Sequence, residues 1–185
     1  MIPIRHAALS LAVAAVVLSG CSSGRSVVDG AGTPAGQTYQ APLDYTVDLT
    51  TPDDDAFEVE LDVGDLGSAN AIYQFASTAP GSYEVMDVGR YVRSFSAADD
   101  HGEAIPVNHV STNQWRISRP EDVAKIQYTI ADTWDTPVEG HPVMLMGGTS
   151  MEKDHVLFNG NAVLGFPSGM QGRALRIRLK RPGDW

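Results

Sequence analysis

A single cysteine, Cys21, is the only thiol in this chain of 185 residues. That excludes an intrachain disulfide, a Cys-based zinc knuckle and a CxxC redox centre. Cations are scarce as well: 13 Lys and Arg stand against 23 Asp and Glu, a formal charge of −10. Such a balance repels a phosphate backbone and removes nucleic acid as a partner. The histidines are His6, His101, His109, His141 and His155. No two are four apart with a glutamate beside the first, the spacing by which one helix brings two imidazoles and a general base to a zinc ion. A G-x-S-x-G nucleophile elbow is also missing. Asp53, Asp54 and Asp55 lack the spaced oxygen ligands of an EF-hand loop, so they read as a hydrated turn. No stretch keeps a 3.6-residue period beyond about two turns, which argues against helices of any length.

What is present begins with an address. Arg5 and His6 precede an apolar run at residues 7–18, too short to span a bilayer as a helix but suited to the apolar region of a secretory signal. Leu18-Ser19-Gly20-Cys21 follows and resembles the bacterial lipoprotein box, in which the cysteine thiol takes a diacylglyceryl group. Cys21 is therefore the expected lipidation site, residues 1–20 the signal peptide, and the bacterial cell envelope, facing the periplasm, the expected location. Each buried acyl methylene contributes about 0.8 kcal/mol, and two or more chains give stable anchoring. Residues 21–42 are mostly Ser, Gly, Ala, Thr, Gln and Pro, a composition that cannot offset its own ordering entropy and reads as a flexible tether reaching about 25 Å.

From residue 43 to 185 the chain reads as all-β. Tyr45, Val47 and Leu49 alternate with polar residues, and after the breaker at 51–55 the alternation resumes with Phe57, Val59, Leu61 and Val63. Period 2 with one dry and one wet face predicts half-buried antiparallel strands. The pattern returns at 125–131 and 173–180, with weaker candidates at 71–76, 91–97, 104–109 and 115–118. Asp99-Asp100-His101-Gly102 predicts a hairpin loop. About eight short strands with Gly and Pro punctuation suggest an antiparallel β-sandwich, with Val59, Leu61, Tyr128, Ile130, Leu175 and Ile177 in its core. Arg173, Arg176, Arg178, Lys180 and Arg181 alternate with that last apolar set and are expected on the outer face, paired with acidic neighbours.

Ala79-Pro80-Gly81-Ser82-Tyr83 and then Val88-Gly89-Arg90-Tyr91-Val92-Arg93-Ser94-Phe95-Ser96-Ala97 resemble a signature near the start of the glycyl aminopeptidases, zinc metallopeptidases of family sixty-one. Asn113-Gln114-Trp115-Arg116-Ile117, Ile126-Gln127-Tyr128-Thr129-Ile130 and His155-Val156-Leu157-Phe158-Asn159-Gly160-Asn161-Ala162 are similar in the expected order, and Pro182-Gly183-Asp184-Trp185 resembles the turn near the end of that family's first domain. Residues 134–151 do not match. The resemblance implies an all-β amino-terminal domain, with the zinc and its HExxH helix in a following catalytic domain. It implies no catalytic or metal residue and no cofactor in this chain, and a non-catalytic role of docking on a metallopeptidase domain and shaping its cleft. It also implies that Phe158, Asn159 and Gly160 form a loop turned towards that domain or the free amine of a peptide substrate. A tight turn explains Asn159-Gly160 equally well. The alternative function is a stand-alone periplasmic β-sandwich lipoprotein that binds a ligand or protein partner.

Overall fold

Alternating apolar side chains at residues 43–61 draw two strands into the hairpin around which the fold is built. The computed structural model describes residues 41–79, 81, 83–183 and 185. Cys21, the signal peptide, nearly all of the tether, and Pro80, Ser82 and Asp184 of the family motifs lie outside the described residues. Strand β1 (Leu43–Asp48) turns Leu43, Tyr45 and Val47 inward, and β2 (Ala56–Asp62) pairs with it antiparallel, Tyr45 opposite Leu61 and Val47 opposite Val59. The turn between them, Pro52–Asp54, ends on Asp55 at φ 46°, a left-handed position that aspartate tolerates better than most residues.

The remaining strands are β3 (Ile72–Gln74), β4 (Val92–Ala98), β5 (Ala104–Ile105), β6 (Val107–Ser111), β7 (Gln114–Ile117), β8 (Lys125–Ala131), β9 (Ser150–Met151), β10 (Val156–Leu157), β11 (Phe166–Pro167) and β12 (Leu175–Lys180). They form a six-stranded sheet in the order β12-β1-β2-β8-β4-β5, a four-stranded sheet in the order β11-β3-β7-β6, and the small β9–β10 hairpin. The fold is thus all-β. The run at 104–109 is two strands rather than one: Pro106, which has no N–H for a ladder, lies where the chain leaves β5 in the large sheet and enters β6 in the small one. Asp99 closes the β4–β5 hairpin by accepting from the His101 and Glu103 amides, with Gly102 at φ 81°.

Aromatic rings join the two sheets. Phe95 of β4 stacks on Trp115 of β7 at 5.3 Å and 18°, and Tyr128 of β8 meets Phe75 edge-on at 5.0 Å. Three tyrosine hydroxyls lie beneath them. Tyr45 donates to the Gly165 carbonyl (2.6 Å) and Tyr128 to the Val163 carbonyl (3.0 Å). The Tyr73 hydroxyl lies among them without a hydrogen bond of good geometry. Burial pushes the Tyr45, Tyr73 and Tyr128 hydroxyls up, so all three stay neutral. Gly165 is required here, because a Cβ would collide with the Tyr73 ring and the Gln74 carbonyl.

β12 departs from expectation twice. It pairs with β1 in parallel, Tyr45 against Ile177, whereas the other ladders are antiparallel. The chain returns to β1 only after crossing through the second sheet, and a long crossover permits a parallel strand. Leu175 and Ile177 are not core residues: they share the inner face of the large sheet with Leu43 and Tyr45 but are 53% and 41% exposed. The opposing four-stranded layer does not extend over β12, so the correct face is left uncovered. Val59, Leu61, Tyr128 and Ile130 are buried as expected. The outer face pairs as its charges require, Arg176 and Arg178 both on Asp44 and Lys180 on Asp48.

Candidate functional site

The family-like residues around Arg90 are occupied with structure. Asp87 stands at φ 45° before the turn Val88–Tyr91, and its carboxylate accepts from Ser77 Oγ and Asn113 Nδ2, which hold it below the usual carboxylate range. Gly89 lies against the backbone of Thr112 and Asn113, where any Cβ would collide with the Thr112 carbonyl oxygen. Arg90 donates only to main-chain carbonyls: Nη2 to Met86 (2.8 Å), Nε to Asp87 (3.2 Å), and Nη1 to Glu139 (2.8 Å) and His141 (3.0 Å). A planar guanidinium is suited to this, since its fixed fork reaches several acceptors at once.

Two of those carbonyls belong to a loop between Thr133 and Thr149, which lies within the residues expected to depart from the family. The loop is clasped at its base by the Thr149 amide donating to Thr133 Oγ1 (2.7 Å) and the Thr133 amide to the Thr149 carbonyl (3.3 Å). Asp132, fully buried beside the clasp, accepts from the Asp135 and Met151 amides, and burial raises its pKa. Further out, Glu84 Oε1 accepts from the Met144 amide (2.7 Å), Trp134 Nε1 donates to the Leu145 carbonyl (3.3 Å) and Asn159 Nδ2 to the Gly147 carbonyl (2.9 Å). These ties order the backbone and leave apolar side chains outside: Leu145 is 65% and Met146 90% exposed, beside Tyr83 at 98%.

Phe158, Asn159 and Gly160 meet this loop. Phe158 packs edge-on against Phe57 at 6.0 Å. Asn159 sits in extended backbone at φ −109° and N-caps the single helical turn α1 (Gly160–Val163), its Oδ1 accepting from the Asn161 amide. The pair is therefore a cap rather than a turn requiring positive φ. Asn159, Asn161, Glu84, Tyr83, Met144 and Met146 line a hollow of about 330 Å³. A carboxylate and an amide carbonyl there are acceptors for a cation, and the thioether and ring edges supply apolar contact.

Among the described residues the histidines do not converge. His101 lies beside Asp100, His109 stacks on Trp115 (4.4 Å), His141 contacts the Val85 carbonyl and His155 pairs with Asp154. Among the described residues no group of three His, Cys, Asp or Glu side chains is placed to hold a metal ion. Nor, among them, is any helix long and apolar enough to cross a membrane. Glu84 and residues 144–146 escaped the sequence reading, which held Arg90 only as part of the family-like signature. Four consecutive apolar residues between Pro142 and Gly147 were the available signal, since a loop seldom exposes such a run without use.

Fold and loops together define a β-sandwich domain whose signature residues organise a presented surface. The chain belongs to the family of the Peptidase M61 N-terminal domain, whose model matches residues 44–185. Among solved structures it is similar to an aminopeptidase N family protein from Idiomarina loihiensis, with a TM-score of 0.65 and 18% identity over 77% of this chain. The chain spans 22% of that protein's length. No curated protein matches it.

Proposed function

We propose that this chain is the non-catalytic N-terminal β domain of a glycyl-aminopeptidase-like lipoprotein, held in the bacterial envelope by lipid on Cys21. It docks on a metallopeptidase domain, which would carry the zinc, and closes one side of its cleft. One observation carries this reading: a loop tied at its base and along its length presents Leu145 and Met146 to solvent. Ordered apolar side chains on a rigid loop lose little entropy on association, and methionine and aromatic residues are enriched at protein interfaces. The hollow beside them, with Glu84 and Asn159, has the acceptors to take the ammonium end of a peptide.

Calorimetric titration of the chain with the metallopeptidase domain of a family sixty-one enzyme tests the docking. Met146→Glu should weaken association at least tenfold, about 1.4 kcal/mol, and leave the melting temperature unchanged because the side chain is exposed. Equal affinity for variant and wild type would remove the loop from the interface. In the complex, Glu84→Gln keeps the bond to the Met144 amide and loses the charge, so turnover of free-amine peptides should fall about tenfold with amine-blocked peptides unaffected. Equal effects on both substrates would refute amine recognition. Labelled palmitate tests the anchor: uptake by the wild type and none by Cys21→Ala is the expected result.

A further inference from the structure

The exposed edge of the six-stranded sheet combines three features that do not depend on the loop surface. Among the described residues its last strand, β12, pairs with β1 alone. The Ala174 and Lys180 carbonyls accept from the Leu43 and Leu49 amides. Because main-chain groups alternate along a strand, those of Leu175, Ile177 and Leu179 point away from the sheet, an unpaired template. The same three residues turn their side chains to the uncovered inner face, above a hollow of about 360 Å³ whose lining includes Tyr45, Leu164, Phe166 and Met170. On its opposite face β12 carries Arg176 and Arg178, two cations on the single carboxylate of Asp44, and Lys180, which lies near Asp48 and Glu60. In a chain of net charge −10 this strand is a local excess of positive charge. Natural edge strands are usually protected by a proline, a bulge, an inward-pointing charge or charged side chains along the edge. β12 has only the last of these, Arg176, Arg178 and Lys180, and they leave its inner face apolar.

We propose that β12 receives an extended segment of a partner protein, in which apolar and acidic residues alternate, as a seventh strand of the sheet. Its backbone pairs with residues 175, 177 and 179, its apolar side chains enter the hollow above Tyr45, and its carboxylates meet Arg176, Arg178 and Lys180. This is strand addition, in which the ladder supplies affinity and the two faces supply selectivity. A second copy of the chain fits poorly, because two β12 strands side by side would align their basic rows. Residues 22–40 of the chain itself carry a single acidic side chain, Asp29, too few to match the basic row.

Fluorescence anisotropy of the full chain with a labelled eight-residue peptide alternating Val and Glu tests the proposal. A Val/Lys peptide and a Val/Glu peptide N-methylated at alternate residues serve as controls. Saturable binding of the Val/Glu peptide is expected, at least tenfold tighter than either control. Ile177→Lys, which puts a charge on the apolar face at an exposed position, should weaken it tenfold or more, Arg178→Gln severalfold, and Ile177→Val little, with the circular dichroism of all three unchanged. Absent binding, equal binding of the three peptides, or equal binding to wild type and Ile177→Lys would overturn it. Sedimentation showing a dimer that Ile177→Lys dissociates would assign the edge to a second copy instead.

Discussion

Asn159 donates its side-chain amide to the Gly147 carbonyl at 2.9 Å, so the loop carrying the family-like Phe158-Asn159-Gly160 motif is tied to the loop between Thr133 and Thr149. The same side chain accepts from the Asn161 amide as the cap of α1. Truncation therefore removes a cap and a tertiary bond together. Asn159→Ala should lower stability by about 1–3 kcal/mol in denaturant melts. Asn159→Asp, which keeps the capping oxygen and loses the donor to Gly147, should cost less. Equal losses in the two variants would show that the cap contributes nothing.

Arg90→Lys should destabilise the domain by about 1–3 kcal/mol, since an ammonium cannot reach the four carbonyls that the guanidinium fork serves and leaves some unpaired. Because two of those carbonyls lie in the loop, limited proteolysis should cut the variant first near residues 139–141. Unchanged cleavage would mean that the Thr133–Thr149 clasp is sufficient to order it.

Ile130 and Ile177 are the same residue type on the same inner face of one sheet, 0% and 41% exposed. Ile130→Ala should cost about 2–5 kcal/mol. Ile177→Ala should cost less, about 1–2 kcal/mol, because about two-fifths of its surface stays in water in the folded state. Similar losses measured by chemical denaturation would place a cover over β12.

Hydrogen bonds from Ser77 and Asn113 lower the pKa of Asp87 below its ordinary 3.8. A carboxylate depressed in the folded state stabilises above its unfolded value and loses that contribution as pH falls through the folded one. The melting-temperature gap between wild type and Asp87→Asn should thus be full at neutral pH and close below pH 3.8. A gap that stays constant down to pH 2 would refute the assignment.

Tyr73→Phe should be nearly neutral or slightly stabilising, as its buried hydroxyl has no well-formed bond to lose. Tyr128→Phe removes a donor to the Val163 carbonyl and an acceptor for the Gly165 amide, at about 1–3 kcal/mol. Thermal melts of the two variants separate these outcomes.

The sequence by itself determined the all-β class, because period-2 alternation at Val59, Leu61, Tyr128 and Ile130 records which side chains water must not reach. It also determined the outer-face pairing of Arg176 and Arg178, since their alternation with apolar residues fixes which face they occupy. Whether an inner face is covered depends on a second layer, and no local pattern states how far that layer extends, so Leu175 and Ile177 read as core and lie open. Of the candidate surface, Phe158, Asn159 and Gly160 were legible, Arg90 only as a signature residue and 144–146 only as an apolar run. What joins them to Glu84 is a set of bonds from side chains to main-chain carbonyls and amides, which any sequence supplies and none advertises. Tertiary structure alone decided that Arg90 is spent on the backbone, that Asn159 caps a turn, and that the loop between Thr133 and Thr149 presents Leu145 and Met146 to solvent.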